Sequence, residues 1–151
     1  MNATESILEA YDRNDVVALE TLLDTDPELV NAGDEKEITL LHRAARDGNM
    51  KMLVTLINRG ADMEAIDTEH RATPLNWASF FGRVHAVDLL LDAGANPEAA
   101  NAHGLDARKC AEQGKTGEWK TMAPDATEED YDSILSLLDE YCDECATEDG
   151  F

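Results

Sequence analysis

Displaced against itself by 34 residues, the chain falls on like residues again and again: Thr39 on Thr73, Leu41 on Leu75, Ala44 on Ala78, Gly48 on Gly82, Gly60 on Gly94, Ala61 on Ala95 and Asp62 on Asn96. A fixed period of this length makes each copy one supersecondary unit, and it governs how every single element is assigned. Each unit opens on a threonine placed as a helix N-cap, Thr39 or Thr73, and Pro74 follows at the first helical position, where its missing N–H costs nothing. Small residues (Ala44, Ala45, Ala78, Ser79) let this first helix lie close to its neighbours, and Gly48 and Gly82 end it. A second helix carries Met52, Leu53, Leu56 and Ile57 in one unit and Ala86, Val87, Leu89, Leu90 and Leu91 in the next, spaced for a buried stripe. Gly60 and Gly94 supply the left-handed residue that stops it, and an extended hairpin leads on to the next unit. One such helix pair cannot bury its own apolar face. Stacked pairs can, so the expected fold is a solenoid.

These phrases resemble ankyrin repeats, with Thr73-Pro74-Leu75, Gly60-Ala61-Asp62 and Gly94-Ala95-Asn96 matching the signature of that family over residues 38–103. The resemblance implies an all-α ankyrin-repeat solenoid of about four helix-turn-helix units joined by β-hairpin loops, one domain over residues 1–151. The units fall at about 4–33, 34–67, 68–100 and 101–141. The first is degenerate, with Asn14 standing in for the glycine between its helices. The fourth starts at Gly104-Leu-Asp-Ala-Arg-Lys-Cys-Ala111 with Asp106 as its cap, and about 15 residues are inserted near 113–129 before its second helix. That helix, expected over 131–141 behind the capping pair Thr127 and Asp130, closes the stack and leaves an acidic tail at 142–151.

Charge divides along the same lines. The formal charge is −21, distributed as −9 over residues 1–37, −2 over 38–103 and −10 over 104–151, with no base beyond Lys120. A chain this acidic repels nucleic-acid phosphate and anionic membrane, so neither is expected as a ligand, and a protein partner would be a basic one. Acidity spread over every repeat would mark an adaptation to high salt, and the nearly neutral middle argues against it. Charged outer repeats around a neutral middle are what a solenoid needs, since each end unit has to hide one face and wet the other. Apolar runs fall far short of the ~20 residues that span a bilayer. The start, Met1-Asn2-Ala3-Thr4-Glu5, lacks the basic and apolar regions of an export signal, and three cysteines cannot all pair within one chain, so a reduced, cytoplasmic monomer is expected.

The resemblance also implies a role. Ankyrin stacks are protein-binding scaffolds without catalysis of their own, and members bind through the hairpin tips and the concave face of the first helices. In this chain the positions left free by the repeat pattern are Glu35, Lys36, Glu37, Glu69, His70, Arg71, Ala102 and His103 at the tips, and Arg43, Arg46, Asp47, Trp77, Phe80 and Phe81 on the first helices. Three of the chain's eight aromatics lie within five residues at i, i+3 and i+4. Aromatic anchors of this kind dominate binding energy. Phe80 and Phe81 equally suit a core role beneath the neighbouring repeat, whereas Trp77 favours contact because tryptophan is rarely fully buried. In the insert, Trp119 and Met122 serve either as a binding arm or as a cap folded on the last repeat.

Other chemistry is faint. Cys142 and Cys145 form a lone C-x-x-C, and Cys110 without a neighbouring histidine is a poor complement for zinc, so no metal site is expected. In the family His42 hydrogen-bonds between repeats, and its counterpart Asn76 is expected to bond similarly. With no Gly-rich phosphate loop and no nucleophile-base order, no cofactor and no enzymatic activity are expected. Two functions remain: a non-catalytic adaptor or inhibitor that binds a protein through its concave face, or an acidic mimic that occupies a basic nucleic-acid-binding or toxin site.

Overall fold

Helix starts are set by side chains that accept the otherwise unbonded first N–H groups. Asn2 caps Ala3–Asp12 (α1), Asp15 caps Val16–Thr25 (α2), Thr39 caps Leu40–Asp47 (α3) and Asn49 caps Met50–Asn58 (α4). Thr73 caps Pro74–Phe80 (α5), Val84–Asp92 (α6) follows, and Asp106 caps Ala107–Lys115 (α7). Thr127 and Asp130 bond reciprocally at the start of Glu128–Asp149 (α8). The computed structural model describes residues 2–117 and 122–149, with side chains as far as residue 142.

Within each unit the two helices pack on each other, α1 on α2, α3 on α4, α5 on α6 and α7 on α8. Between units, the first helices α3, α5 and α7 lie side by side, and behind them α2, α4, α6 and α8 form a second row. The close approach depends on small side chains: Ala44, Ala45, Ala78, Ala107 and Ala111 are completely buried. Between the rows sit Leu40, Leu53, Leu56, Leu90 and Ile134, also at zero exposure, each stabilising the stack by about 1.5–3 kcal/mol. Turns between paired helices require a left-handed residue. Gly48 takes it at φ 66°, and Asn14 takes it at φ 55° in the first unit, a conformation asparagine tolerates better than most side chains. The Asn14 carboxamide oxygen also accepts from Asn49 at 2.9 Å, which ties the first unit to the second.

The connections are turned tips, closed by backbone bonds from the Asp34 N–H to Ile38 O, the Asp67 N–H to Ala72 O and the Asn101 N–H to Leu105 O. Among the described residues they hold no extended strand, and the pairing is a single bridge between Gly33 and Thr39. Side chains reinforce this closure. Asp34 accepts from the N–H groups of Lys36 and Ile38, and Asn101 from those of His103 and Leu105. Asp67 does the same more extensively for Glu69, His70 and Ala72. Successive tips are then stitched together by Thr68 N–H to Lys36 O at 2.9 Å and Ala102 N–H to His70 O at 2.8 Å.

The closing helix also exceeds the expected 131–141. It begins at Glu128 and runs to Asp149, through most of the stretch read as an acidic tail, because no glycine or proline interrupts it before Gly150 and three acids in its first turn suit the helix dipole. The insert is correspondingly shorter, since α7 continues to Lys115.

His42 bonds between repeats as expected. Its Nδ1 faces the Thr39 N–H at 3.2 Å, which leaves Nε2 to donate to the Ala72 carbonyl at 2.8 Å. Burial holds the ring's pKa below its ordinary value and keeps it neutral, although the Ala72 carbonyl and Asp67 pull the other way. The expectation for Asn76 fails. Its carboxamide is buried, and neither its nitrogen nor its oxygen has a hydrogen-bond partner. Asparagine is shorter than histidine and stops before the next repeat. Ser79, at the place of Ala45, likewise buries a hydroxyl with no partner. Ser79→Ala is therefore expected to stabilise the fold by about 1 kcal/mol by removing an unsatisfied group, measured as a higher urea midpoint.

Candidate functional site

The face formed by the first helices and the hairpin tips carries one apolar cavity, of about 290 Å³, between the third and fourth units. α5 supplies Asn76, Trp77 and Phe80 to it, with Phe81 at the helix end; α7 supplies Cys110 and Gln113. The tips add His70 and His103, and Met122 closes the side toward the insert. Among the described residues, those around it include no Asp, Glu, Lys or Arg, although the chain as a whole carries −21.

The aromatic group is locked from behind. Trp77 donates its indole N–H to Asp67 at 3.1 Å and lies edge-on to the His42 ring at 5.5 Å between centroids. Phe81 sits 6.2 Å from Trp77 and, edge to face, 5.3 Å from Phe80. All three aromatics are half-buried, so each has one side packed and another open. Fixed rings with an open side lose little freedom on contact, which is the property of a binding anchor.

Asp67 is the residue that positions this group, and it lies outside the positions expected to bind. Its carboxylate is fully buried. Burial raises its pKa, but the His70 N–H, the Trp77 indole, the Ala72 N–H and the His70 ring together outweigh that and hold it below the ordinary carboxylate value. The signal was present in the repeat, since Asp34, Asp67 and Asn101 recur at a near-constant interval.

The charged candidates are placed elsewhere. Arg43 is shared between Asp12 and Asp34 at 3.4 Å each. Arg46 pairs with Asp47, and Asp47 also accepts from the buried Tyr11 hydroxyl at 2.8 Å, so burial and this bond hold the Tyr11 phenol pKa far above its ordinary value. Glu69 pairs with Lys36 on the preceding tip at 2.9 Å. Arg71 adopts a left-handed backbone at φ 51° and does not line the cavity; His70 does. Trp119 lies outside the described residues.

Of the cysteines, Cys110 is buried against the cavity, its thiol pushed up to about 12 by burial and by Asp106, and it is inert as a nucleophile at neutral pH. Cys142 is exposed on α8. Among the described residues no group of three His, Cys, Asp or Glu could hold a metal ion, and no helix is long and apolar enough to cross a membrane.

Comparison with known proteins agrees with this architecture. Over 75 residues the chain is 40% identical to the palmitoyltransferase Hip14 of Drosophila melanogaster, which covers 50% of this chain and 12% of that protein. Over 108 residues it is 34% identical to the palmitoyltransferase AKR1 of Kluyveromyces lactis, 68% of this chain and 14% of the relative. Over 133 residues it is 27% identical to the E3 ubiquitin-protein ligase hecd-1 of Caenorhabditis elegans, 88% of this chain and 4% of that protein. The chain thus spans a small part of the length of each relative. The family model for ankyrin repeats, in three copies, matches residues 7–101, more than half of the sequence. With the capped helix pairs, the stacked alanines and the His42 bond between repeats, that match places the chain in the ankyrin repeat family.

Proposed function

We propose that the chain is a non-catalytic interaction module, with units at about 4–33, 34–67, 68–100 and 101–141, that holds a protein partner on the face of its first helices and tips as an adaptor or inhibitor. Ankyrin repeats are protein-binding scaffolds, and the finer assignment rests on one observation. Trp77, Phe80 and Phe81 are half-buried, mutually packed and grouped around a cavity that no charged side chain lines among the described residues. The partner also meets Arg43, Arg46 and Asp47 on α3 and Glu69, His70 and Arg71 at the tip; of these, His70 lines the cavity. The acidic end units favour a basic partner by long-range attraction, and the module works as a cytoplasmic monomer.

Trp77 is unsuitable as the test position because it also holds Asp67. The double variant Phe80→Ala/Phe81→Ala is expected to weaken partner capture by at least about 30-fold, the equivalent of ~2 kcal/mol, in crosslinked pull-downs from native lysate. Val17→Ala, on an exposed site of α2, serves as the control. Partners retained equally by both variants would place binding on another surface. Raising salt from about 0.05 to 0.5 M is expected to weaken capture further, since exposed charges are screened beyond ~10 Å at 0.1 M. An acidic antagonist would behave differently: its capture would survive the phenylalanine substitutions and fail when the acids of α8 were converted to amides.

A further inference from the structure

The segment that leads from the insert into α8 is clipped to the stack at three points. Ala123 is buried. Asp125 accepts from the Arg83 guanidinium at 2.5 Å, and the Arg83 Nε donates to the Arg46 carbonyl at 2.8 Å, so one side chain ties the segment to the end of α3 and the start of α6. Ala126 lies so near Gly82 that a Cβ on that glycine would stand 2.6 Å from the Ala126 methyl. Met122 directly precedes these anchors, and it lines the cavity together with Trp77, Phe80 and Phe81. Its backbone is therefore held at that wall.

Among the described residues Met122 is also the methionine open to solvent. It is 53% exposed, whereas Met52 is completely buried and Met50 and Met63 are partly buried against the core. The cavity's thiol offers little competition, since Cys110 is buried and protonated at neutral pH. Exposure decides which thioether an oxidant reaches. We propose that Met122 is a peroxide-sensitive modification site whose conversion to the sulfoxide weakens partner binding at the cavity. The effect on binding rests on the reading of this face as the partner-binding surface.

The chemistry needs hydrogen peroxide alone. The Met122 sulfur donates an electron pair to one peroxide oxygen, an S–O bond forms as the O–O bond breaks, and the departing hydroxide takes the proton from the new oxygen and leaves as water. Sulfur is oxidised by two electrons and peroxide is reduced by two. Reversal takes two thiols, which supply two electrons and two protons and end as a disulfide and water, the reaction of thiol-dependent methionine sulfoxide reductases. In the free protein the sulfoxide oxygen stays hydrated because Met122 is exposed, so the fold tolerates it. A partner seated on the aromatic group covers this wall and strips that water, and burying a polar oxygen without a donor is costly.

The test treats the protein with dilute hydrogen peroxide and then with dithiothreitol, which restores oxidised cysteines and leaves the sulfoxide. Peptide mass spectrometry is expected to show Met122 oxidised at least about tenfold faster than Met50, Met52 and Met63, and the Trp77 indole N–H resonance should shift with it. The capture that Phe80→Ala/Phe81→Ala removes should weaken about tenfold in the oxidised wild type and return after treatment with the two sulfoxide reductases. Met122→Gln, which carries a polar head permanently, should show the same loss without peroxide. Peroxide should cause no further change in Met122→Leu. Oxidation of Met122 no faster than that of Met63, an unshifted indole, or an equal peroxide effect in Met122→Leu overturns the proposal. Capture lost in Phe80→Ala/Phe81→Ala but equal in the oxidised and reduced wild type overturns the switch and keeps the face. Capture unaffected by the phenylalanine substitutions overturns both.

Discussion

Gly114→Ala is expected to destabilise the protein by about 3 kcal/mol, although alanine in place of glycine within a helix ordinarily stabilises it by up to ~1 kcal/mol. The reason is space. Gly114 is buried in the last turn of α7. A Cβ there would stand 2.4 Å from the Phe80 carbonyl oxygen and 2.6 Å from the Tyr131 ring. Neither neighbour can withdraw cheaply. The carbonyl belongs to the end of α5, and Tyr131 is fixed by donating its hydroxyl to that same oxygen at 2.8 Å. Relief therefore requires α7 to move off α5 and the Tyr131 bond to break, which loosens α8 as well. Since α5 and α7 are two walls of the cavity, its shape should change with them. The expected readout is a fall in Tm of roughly 6–12 °C for a domain of this size, with faster amide hydrogen exchange concentrated in α7 and α8. Gly60→Ala is the comparison, because Gly60 has a left-handed backbone at φ 83° but nothing within 4 Å of an added Cβ. If Gly60→Ala costs more than Gly114→Ala, the steric account of the α5–α7 contact is wrong.

That glycine shows where sequence reading stops. The period of 34 pointed to the units, the threonine caps and the turn glycines, and the resemblance to ankyrin repeats implied the bond from His42, because each of these is determined within a repeat or by its immediate neighbour. Gly114 lies at the edge of the insert, where the period breaks, and its requirement comes from Tyr131 and Phe80, distant in sequence. The long α8 was underestimated for the opposite reason: high charge reads as a solvated tail, yet a run without glycine or proline and anchored at Ile134 and Leu138 can continue as helix.

The candidate site was legible in its aromatics and less so in its charges. Spacing at i, i+3 and i+4 put Trp77, Phe80 and Phe81 on one stretch of helix, and the structure gathers them at the cavity. Arg43 and Arg46 looked available because a sequence does not display pairing across units. In the fold they are engaged by Asp12, Asp34 and Asp47. Asn76 was misjudged because residue type suggested bonding capacity, and what decides a bond across a gap is reach. Cys110 and Gln113 entered the site only because α7 stacks on α5, a fact of packing that periodicity implies in general and leaves unspecified by residue.

Asp67→Asn, nearly the same size, is expected to cost about 2–4 kcal/mol at pH 7 and to disorder the tip before α5. The Asp67 carboxylate accepts four hydrogen bonds: Oδ1 from the N–H groups of Glu69 at 3.0 Å and His70 at 2.6 Å, Oδ2 from the Ala72 N–H at 3.2 Å and the Trp77 indole at 3.1 Å. An asparagine would serve one pair and turn its own N–H donors on the other, leaving two buried donors facing donors. Asn101 shows that the amide is sufficient where demands are smaller, since there one oxygen accepts from His103 and Leu105 and no indole must be held. The pH dependence gives a sharper test than the midpoint alone. The Asp67 pKa is lowered in the fold, so its contribution is complete above the unfolded carboxyl value of about 3.9 and is lost as pH falls toward and through the lower folded value. The stability gap between the wild type and Asp67→Asn should therefore be widest at neutral pH and narrow as pH falls below about 4 in urea melts. The indole N–H of Trp77 should also shift in the variant at pH 7, because its acceptor has gone, and partner binding should weaken as Trp77 and His70 lose their fixed positions. A gap that stays constant across that pH range, or an unchanged indole resonance, would mean that Asp67 does not hold the aromatic anchor in place.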